Sequence, residues 1–435
     1  MREGSHSEGS RGRPSRRTPN LPVLPWILVG LAAGYLLFYV LPVFLNPQHT
    51  MLFPKYLPAT KSIGSDLSGT LSYSASWLIE HHTPYIGANQ KPPLTAPFFA
   101  PLLFLPFPDA YLIITVLTLA GYAICSLWFP AMASGSRRIT PVLLLVALTG
   151  LLSYGFQWEL ERGQFDILAM TLALGAIGLF YTQPRLRIVS YLLITLSIQL
   201  KVYPAILIIA FVADWRTWKK ELLRLVEIFA LNFVCLFVLG LQVFQDFVGM
   251  IGGYIVSFDP FVGDHSASTF AYNLSPHPRY LELALFALFG LCFLYALWVS
   301  HTRQRPGLDP YLLLACCVGA LIIPSISNDY TLPLLVPFAA LFFLSLEIGT
   351  QSKIRAGLGA LLVVLMSLAY CSTLFSYANK AALPFLGAVP RFLIGNNLPG
   401  LFVVLLTATA LVALGHVRTR EVPPSEAEEA SGTAG

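Results

Sequence analysis

Apolar runs of membrane length alternate with short polar stretches along most of the chain. Twelve runs stand out, at about 22–44, 109–131, 139–156, 164–181, 187–200, 202–214, 222–244, 280–300, 309–324, 330–347, 355–377 and 398–416. A lipid-exposed helix needs roughly 17–25 residues, so the runs at 187–200 and 202–214 are short for crossings. In an alternative arrangement residues 93–106, "PLTAPFFAPLLFLP", cross and those two short runs fuse into one helix. The prolines make 93–106 a poor spanning helix, which favours the twelve-crossing arrangement. The pattern therefore predicts an all-α, polytopic integral membrane protein with about 12 transmembrane helices.

Two polar interruptions are longer than the rest, at about 45–108 and 245–279, and both read as outer loops. The first contains "SIGSDLSGTLSYSASWLIEHHTPY", residues 62–85, where Leu67, Leu71, Ala75 and Leu78 recur at helical spacing beside Tyr73 and Trp77. An amphipathic helix lying in the membrane interface is expected there, capped by Ser62 or Ser65 and stopped by "TPY". The second loop mixes Gly, Phe, Tyr and polar residues, and a loop of that length is commonly functional or disordered.

Composition fixes the class: 56% of residues are hydrophobic and 11% charged, far from the roughly one-quarter charged of soluble domains. A net charge of +5 says little about nucleic acid, and no nucleic-acid partner is expected. The placement of the 27 Lys and Arg residues is more informative. Most of them, from the five Arg of the N-terminal tail through Arg137, Arg185, Lys219 and Arg303 to Arg418, fall on one side of the twelve-crossing arrangement. That side is the cytoplasm by the positive-inside rule, with both termini inside a cell membrane. The tails, 1–21 and 418–435, are expected to be disordered, around a single transmembrane domain over 22–417. All six cysteines lie in apolar runs without metal-ligand or CxxC spacing and read as core residues.

The opposite, outer side holds the residues that topology does not require. Lys91 stands in "NQKPPL", Arg162, Gln164 and Asp166 in "WELERGQFD", and Lys201 in "IQLKVYP", while Asp66, Glu80, Glu159, Asp264 and Asp329 fall on or near the same side. Asp66 is either a helix-start residue favoured by the helix dipole or a reactive carboxylate. Arg162 reads as an interfacial anchor or an anion ligand, and Lys201 as a snorkelling side chain or a functional cation at membrane depth. Asp166 could orient Arg162, bind a sugar, or simply pair with Arg162. No P-loop or dinucleotide-binding glycine pattern occurs, which argues against direct use of ATP or a nucleotide sugar.

An outer Asp just after the first crossing, then "HHTPY", "KPPL", "RGQFDILAMTLAL" and "KVYPAILII" in that order, resembles the GT-C glycosyltransferase superfamily. Within it the pattern is most similar to glycosyltransferase family 87, the polyprenyl-phosphate-mannose-dependent mannosyltransferases, over residues 22 to about 345. The resemblance implies a GT-C type fold and transfer of mannose, or another hexose or pentose, from a polyprenyl-monophosphate donor. The acceptor would be a lipid-linked or cell-envelope glycan on the extracytoplasmic face. It assigns Asp66 as general base of an inverting reaction, and the chemistry then asks for cations on the departing phosphate: Arg162 and Lys201, with Lys91 third. Gln164, Asp166, His82, His265, Asn273, Asn328 and Asp329 are candidates for the acceptor or sugar side. Neither a cofactor nor a metal is expected. The chain departs from the pattern in "GDHSASTFAYNLS" and "PSISNDYTLP", which leaves the roles of His265, Asn273, Asn328 and Asp329 open. Two rivals remain: a lipid or glycan flippase, for which no convincing internal repeat is visible, and a lipid-diphosphate-linked glycan ligase or polymerase, whose outer loop should be richer in Arg and His.

Overall fold

Inside a bilayer each backbone polar group must be satisfied within the protein, so an apolar chain without barrel patterning is driven to helices. The computed structural model describes residues 22–36, 40, 63–85, 87, 89–135, 138–256, 264, 266–303, 308–348 and positions 357, 359–361, 363, 364, 366 and 367. Among them all regular structure is helical, and the one β-type pairing is an isolated bridge between Asp264 and Asn328. The two tails, the last expected crossing at 398–416, and His265 lie outside the described residues.

The chain begins with α1 (Val23–Tyr35), α2 (Ser65–Leu78) and the short α3 (Thr95–Phe99), which tightens into a 3-10 turn over Ala100–Phe104. Then follow α4 (Phe107–Ala133), α5 (Pro141–Leu151), α6 (Tyr154–Arg162), α7 (Asp166–Thr182) and α8 (Arg187–Leu200). A 3-10 segment at Tyr203–Phe211 leads to α9 (Trp218–Cys235), α10 (Leu241–Val256), α11 (Ala267–Leu274) and α12 (Pro278–Arg303). The last described helices are α13 (Pro310–Ile322) and, after a 3-10 turn at Asp329–Leu334, α14 (Leu335–Ile348).

Burial separates two kinds of apolar helix. Every residue of α13 from Tyr311 to Ile322 is buried, and α7, α8 and α14 pack into the same core. On α4, α9 and α12 large apolar side chains point outward instead, among them Leu112, Val116, Phe229, Phe233, Leu283 and Leu291. Such an exposed apolar surface is tolerable in lipid and costly in water. By length and composition α4 and the Pro278–Trp298 part of α12 can each cross a bilayer, and α5 with α6, bent by 53°, makes a third if the pair is one span. Among the described residues the remaining apolar helices are shorter, so the crossings expected there are not all matched by helices of crossing length.

Several expectations are revised. The run at 202–214 is a nine-residue 3-10 segment, only about 18 Å long at 2 Å per residue. It does not continue α8, because Lys201 is extended (φ −146°, ψ 129°) and Pro204 has no N–H to donate to the Leu200 carbonyl. Residues 93–106, by contrast, fit the preferred arrangement: they form a ten-residue helix over Thr95–Phe104, too short to cross by itself. The stretch 245–279 is not one long loop: α10 and α11 occupy much of it.

The segment 62–85 does hold a helix, α2, with a different cap and face. Its N-cap is Gly64 in the left-handed conformation, with no side-chain cap from Ser65, and Ser62 lies outside the described residues. The buried face is Leu67, Thr70, Leu71, Ser74 and Ser76, rather than the stripe ending in Ala75 and Leu78. The buried hydroxyls satisfy themselves on backbone carbonyls: Thr70 donates to Asp66 at 2.7 Å, Ser74 to Thr70 at 3.1 Å and Ser76 to Thr83 at 3.3 Å. This face packs on α3 and its 3-10 extension. At the charge-rich edge expected to be cytoplasmic, Arg224 pairs with Glu221 and donates to the Phe211 carbonyl at 2.7 Å, anchoring α9 to the 3-10 segment.

Candidate active site

Two glycines explain why residues nearly a hundred positions apart meet. Gly64 and Gly163 both adopt left-handed backbone, φ 68° and φ 65°, where a side chain is strained. They also lie against one another: a Cβ on Gly163 would stand 2.9 Å from Leu67 Cβ and 3.3 Å from Gly64 Cα. The Gly64 N–H donates to the Glu161 carbonyl at 2.6 Å, which fastens the start of α2 to the end of α6. Asp66, in the first turn of α2, therefore faces Arg162, the last residue of α6.

The side chains complete a continuous network. Arg162 Nη2 lies 2.6 Å from Asp66 Oδ1, and Gln164 Nε2 donates to Asp66 Oδ2. Gln164 also accepts from Lys201 Nζ at 2.9 Å, and Lys201 Nζ stands 3.0 Å from Asp166 Oδ2. The two ion pairs differ in access: Arg162 and Asp66 are 35% and 19% exposed, Lys201 and Asp166 only 15% and 1%. Lys201 lies over the Phe165 ring at 4.8 Å and the Tyr330 ring at 5.7 Å, a favourable placement for a poorly hydrated cation.

Lys91 also borders Phe165, with its ammonium 5.8 Å from that ring and 5.6 Å from the Tyr73 ring. The loop carrying it is knotted: Tyr85 Oη donates to the Lys91 carbonyl at 2.9 Å, the Lys91 N–H to Asn89 Oδ1 at 3.1 Å, and Asn89 Nδ2 to the Pro84 carbonyl at 2.9 Å. Thr95 Oγ1 then donates to the Gln199 carbonyl at 2.8 Å, tying this loop to the end of α8 that bears Lys201. No ion pair joins Lys91 to a carboxylate among the described residues, unlike Arg162 and Lys201. Burial, and next the positive charge of Lys201, pull its ammonium down to about 8.

Residues 91–325 match glycosyltransferase family 87, more than half of the chain. The chain belongs to glycosyltransferase family 87. The resemblance drawn from the ordered motifs is thereby borne out, and with it a membrane glycosyltransferase. The crystal structure of apo ArnT from Cupriavidus metallidurans is also similar, at 14% identity and a TM-score of 0.37, over 91% of this chain and 78% of that one. No curated protein matches the chain. Within this family 87 protein the matched region contains Lys91, Arg162, Gln164, Asp166 and Lys201, whereas Asp66 precedes it.

The other sequence candidates distribute unevenly. Asn328 reaches the edge of the cluster, where its Nδ2 donates to Tyr330 Oη at 2.7 Å, and Tyr330 packs on Trp158 of α6 at 5.4 Å. Asp329 opens the same 3-10 turn and Asn273 lies in α11. His82 is exposed beyond the far end of α2, whose last residue Leu78 stands about 18 Å along the helix from Asp66 at 1.5 Å per residue, so it does not join the network. Asp264 accepts from the Ser266 and Ser327 N–H groups at 2.9 and 2.8 Å and from Thr269 Oγ1 at 2.5 Å, which occupies it in bracing the turn before α11. Among the described residues no group of three His, Cys, Asp or Glu could hold a metal ion.

Sequence reasoning passed over the aromatic floor of the enzyme's cluster. Phe165, Tyr330 and Tyr203, whose hydroxyl donates to the Asp166 carbonyl at 3.1 Å, each sit one or two positions from a flagged polar residue. That adjacency, in "GQFD", "NDY" and "KVY", was the available signal.

Proposed function

We propose that this family 87 enzyme transfers a sugar, mannose or another hexose or pentose, from a polyprenyl-monophosphate donor to a glycan or glycolipid acceptor at the extracytoplasmic face of the cell membrane. The observation that carries this reading is the convergence of one accessible carboxylate, Asp66, with three cations, Arg162, Lys201 and Lys91, at one aromatic-floored site. An acceptor hydroxyl attacks the anomeric carbon from the face opposite the phosphate and gives its proton to Asp66. The bond from that carbon to the phosphate oxygen breaks, and its electron pair leaves on polyprenyl phosphate. One carboxylate suffices for such an inverting displacement, and fixed cations stabilise the charge gathering on the leaving group.

Occupancy ranks the cations. Arg162 and Lys201 are each neutralised by a carboxylate, whereas Lys91 stands on two aromatic faces, so the donor phosphate docks first at Lys91. It then competes with Asp66 for the more exposed Arg162, whose guanidinium suits two phosphate oxygens at once. Losing that partner leaves Asp66 free to take a proton. Lys201, held by Gln164 and Asp166, contributes a fixed positive field.

Incubation of the purified protein with radiolabelled polyprenyl-phosphate sugars and a membrane extract, followed by identification of the labelled product, tests this directly. Transfer with inversion is expected. Donor left intact, with label moved across a vesicle bilayer, would instead indicate a flippase, and turnover restricted to lipid-diphosphate glycans a ligase or polymerase.

A further inference from the structure

Glu159 is fully buried in α6 and takes no part in the chemistry above, yet both of its ends grip the turn that builds the site. Its main-chain carbonyl accepts from the Gln164 N–H at 2.9 Å, and its carboxylate Oε1 accepts from the Ile167 N–H at 2.9 Å. Beside those bonds lie Gly163, left-handed at φ 65°, and Phe165, non-helical at φ −132°, ψ 27°. The Gly163 N–H donates to the Leu160 carbonyl at 3.0 Å and closes α6, but beyond it the backbone leaves the regular ladder until α7 begins. The turn carries Arg162, Gln164 and Asp166, through which Asp66 and Lys201 are connected.

The Ile167 N–H is one of the free donors at the start of α7. A side chain normally caps such a donor from the N-cap position, but the N-cap here is Phe165, which cannot. Glu159 supplies the cap from the preceding helix instead. Its second oxygen, Oε2, is buried with no hydrogen-bond partner among the described residues, so Oε1 carries the cap on Ile167.

We infer that Glu159 is a positioning residue of the transferase: its Oε1, acting as a remote cap on α7, sets the Arg162–Asp166 turn so that Gln164 can bridge Asp66 to Lys201. The inference rests on that network being the active centre, but its core claim concerns the turn and is readable without substrate. Because a single acceptor oxygen does the work, Glu159→Gln preserves the function and Glu159→Ala does not.

Amide hydrogen exchange on the full-length protein in detergent, followed by mass spectrometry, is the first measurement. In Glu159→Ala, exchange is expected to rise at least about 10-fold across residues 163–168 while α13 and α14 keep wild-type protection; in Glu159→Gln the same segment stays near wild type. Unchanged exchange in Glu159→Ala, a rise spread evenly over all helices, or equal damage from both substitutions would overturn the inference. Sugar transfer is the second measurement, and displacement of reacting groups by about 1 Å sets the expected loss at roughly 10²-fold in Glu159→Ala. That loss should largely vanish when Gln164→Ala is already present, since the two act through one turn. If wild-type protein transfers no sugar, the proposed function fails while the exchange result still decides the role of Glu159. If wild-type protein is active and Glu159→Ala equally so, the positioning role alone fails.

Discussion

Asp66 cannot be a free base and half of an ion pair at the same moment, and this sets what substitution there should do. Asp66→Asn keeps the shape and one acceptor oxygen for Arg162, but it cannot take a proton. Sugar transfer is expected to fall by at least ~10²-fold, with donor binding unweakened or tighter, because Asp66 no longer competes for Arg162, and thermal unfolding in detergent close to wild type. A helix-start role alone would cost only about 0.3–1 kcal/mol of stability and no turnover, so near-normal transfer by this variant would remove Asp66 from the chemistry. The cations should behave differently. Lys91→Ala and Arg162→Ala are expected to weaken donor binding by about 10–100-fold, the worth of one charge-assisted hydrogen bond, measured by titration with a polyprenyl phosphate.

Lys91 also makes a pH prediction whose sign follows from its lowered value of about 8. The folded protein loses this charge as pH rises through about 8, well before an unfolded chain does near 10.4. Burial of the charged form therefore weighs on the fold below about 8 and is relieved above it. The effect on donor capture is opposite, because the phosphate needs the ammonium. The kcat/KM for the donor, which reports the free enzyme, should decline above about pH 8, and Lys91→Arg should move that decline to higher pH. An identical alkaline limb in Lys91→Arg would assign it to another group.

At the scale of elements, the site was legible where spacing within one segment decided the outcome and illegible where contact between segments did. The helix at Ser65–Leu78 followed from its apolar recurrence, yet its buried face turned toward Thr70 and Ser74 because α3 packs there. The polar residues of "RGQFD" could be named as chemistry, but their pairing with Asp66 depends on two left-handed glycines meeting back to back, a tertiary fact. Glu159 looked like one more outer acid because its role is a bond to a backbone N–H eight residues on. Likewise, 202–214 looked like a crossing by hydropathy alone, and Pro204 together with the extended Lys201 broke it. The glycine contact gives a test of its own. Gly163→Ala should destabilise the protein by about 1–3 kcal/mol from the strained backbone, with a further loss because the new Cβ presses on Leu67, read as a lower unfolding temperature in detergent. Gly69→Ala, with open space around its Cβ position and ordinary helical backbone, serves as the control and should be neutral or mildly stabilising.

For the whole molecule, the working face is an argument from charge that helix lengths alone do not decide. In the twelve-crossing arrangement most Lys and Arg sort to one side of the apolar runs and Asp66 falls on the other, so the cluster is expected to open to the extracytoplasmic side. The structure offers exposed positions near each proposed face: Ser72 on α2, and Lys219 at the basic start of α9. Single cysteines at these two sites, in a background with the native cysteines replaced, can be labelled in intact cells with a membrane-impermeant maleimide. Ser72→Cys is expected to react in intact cells and Lys219→Cys only after permeabilisation. The reverse pattern would put Asp66, Arg162 and Lys201 in the cytoplasm, where a sugar donor would be met on the inner leaflet and the charge argument would be inverted. Labelling of both sites in intact cells would mean that Ser72 and Lys219 share a face and that an odd number of crossings has been miscounted between them. The break at Lys201 makes that region the first to reconsider, because a 14-residue α8 and a nine-residue 3-10 segment stand where two crossings were expected. Either could enter and leave on the same side without spanning, since irregular backbone at membrane depth is tolerated where it is buried in protein.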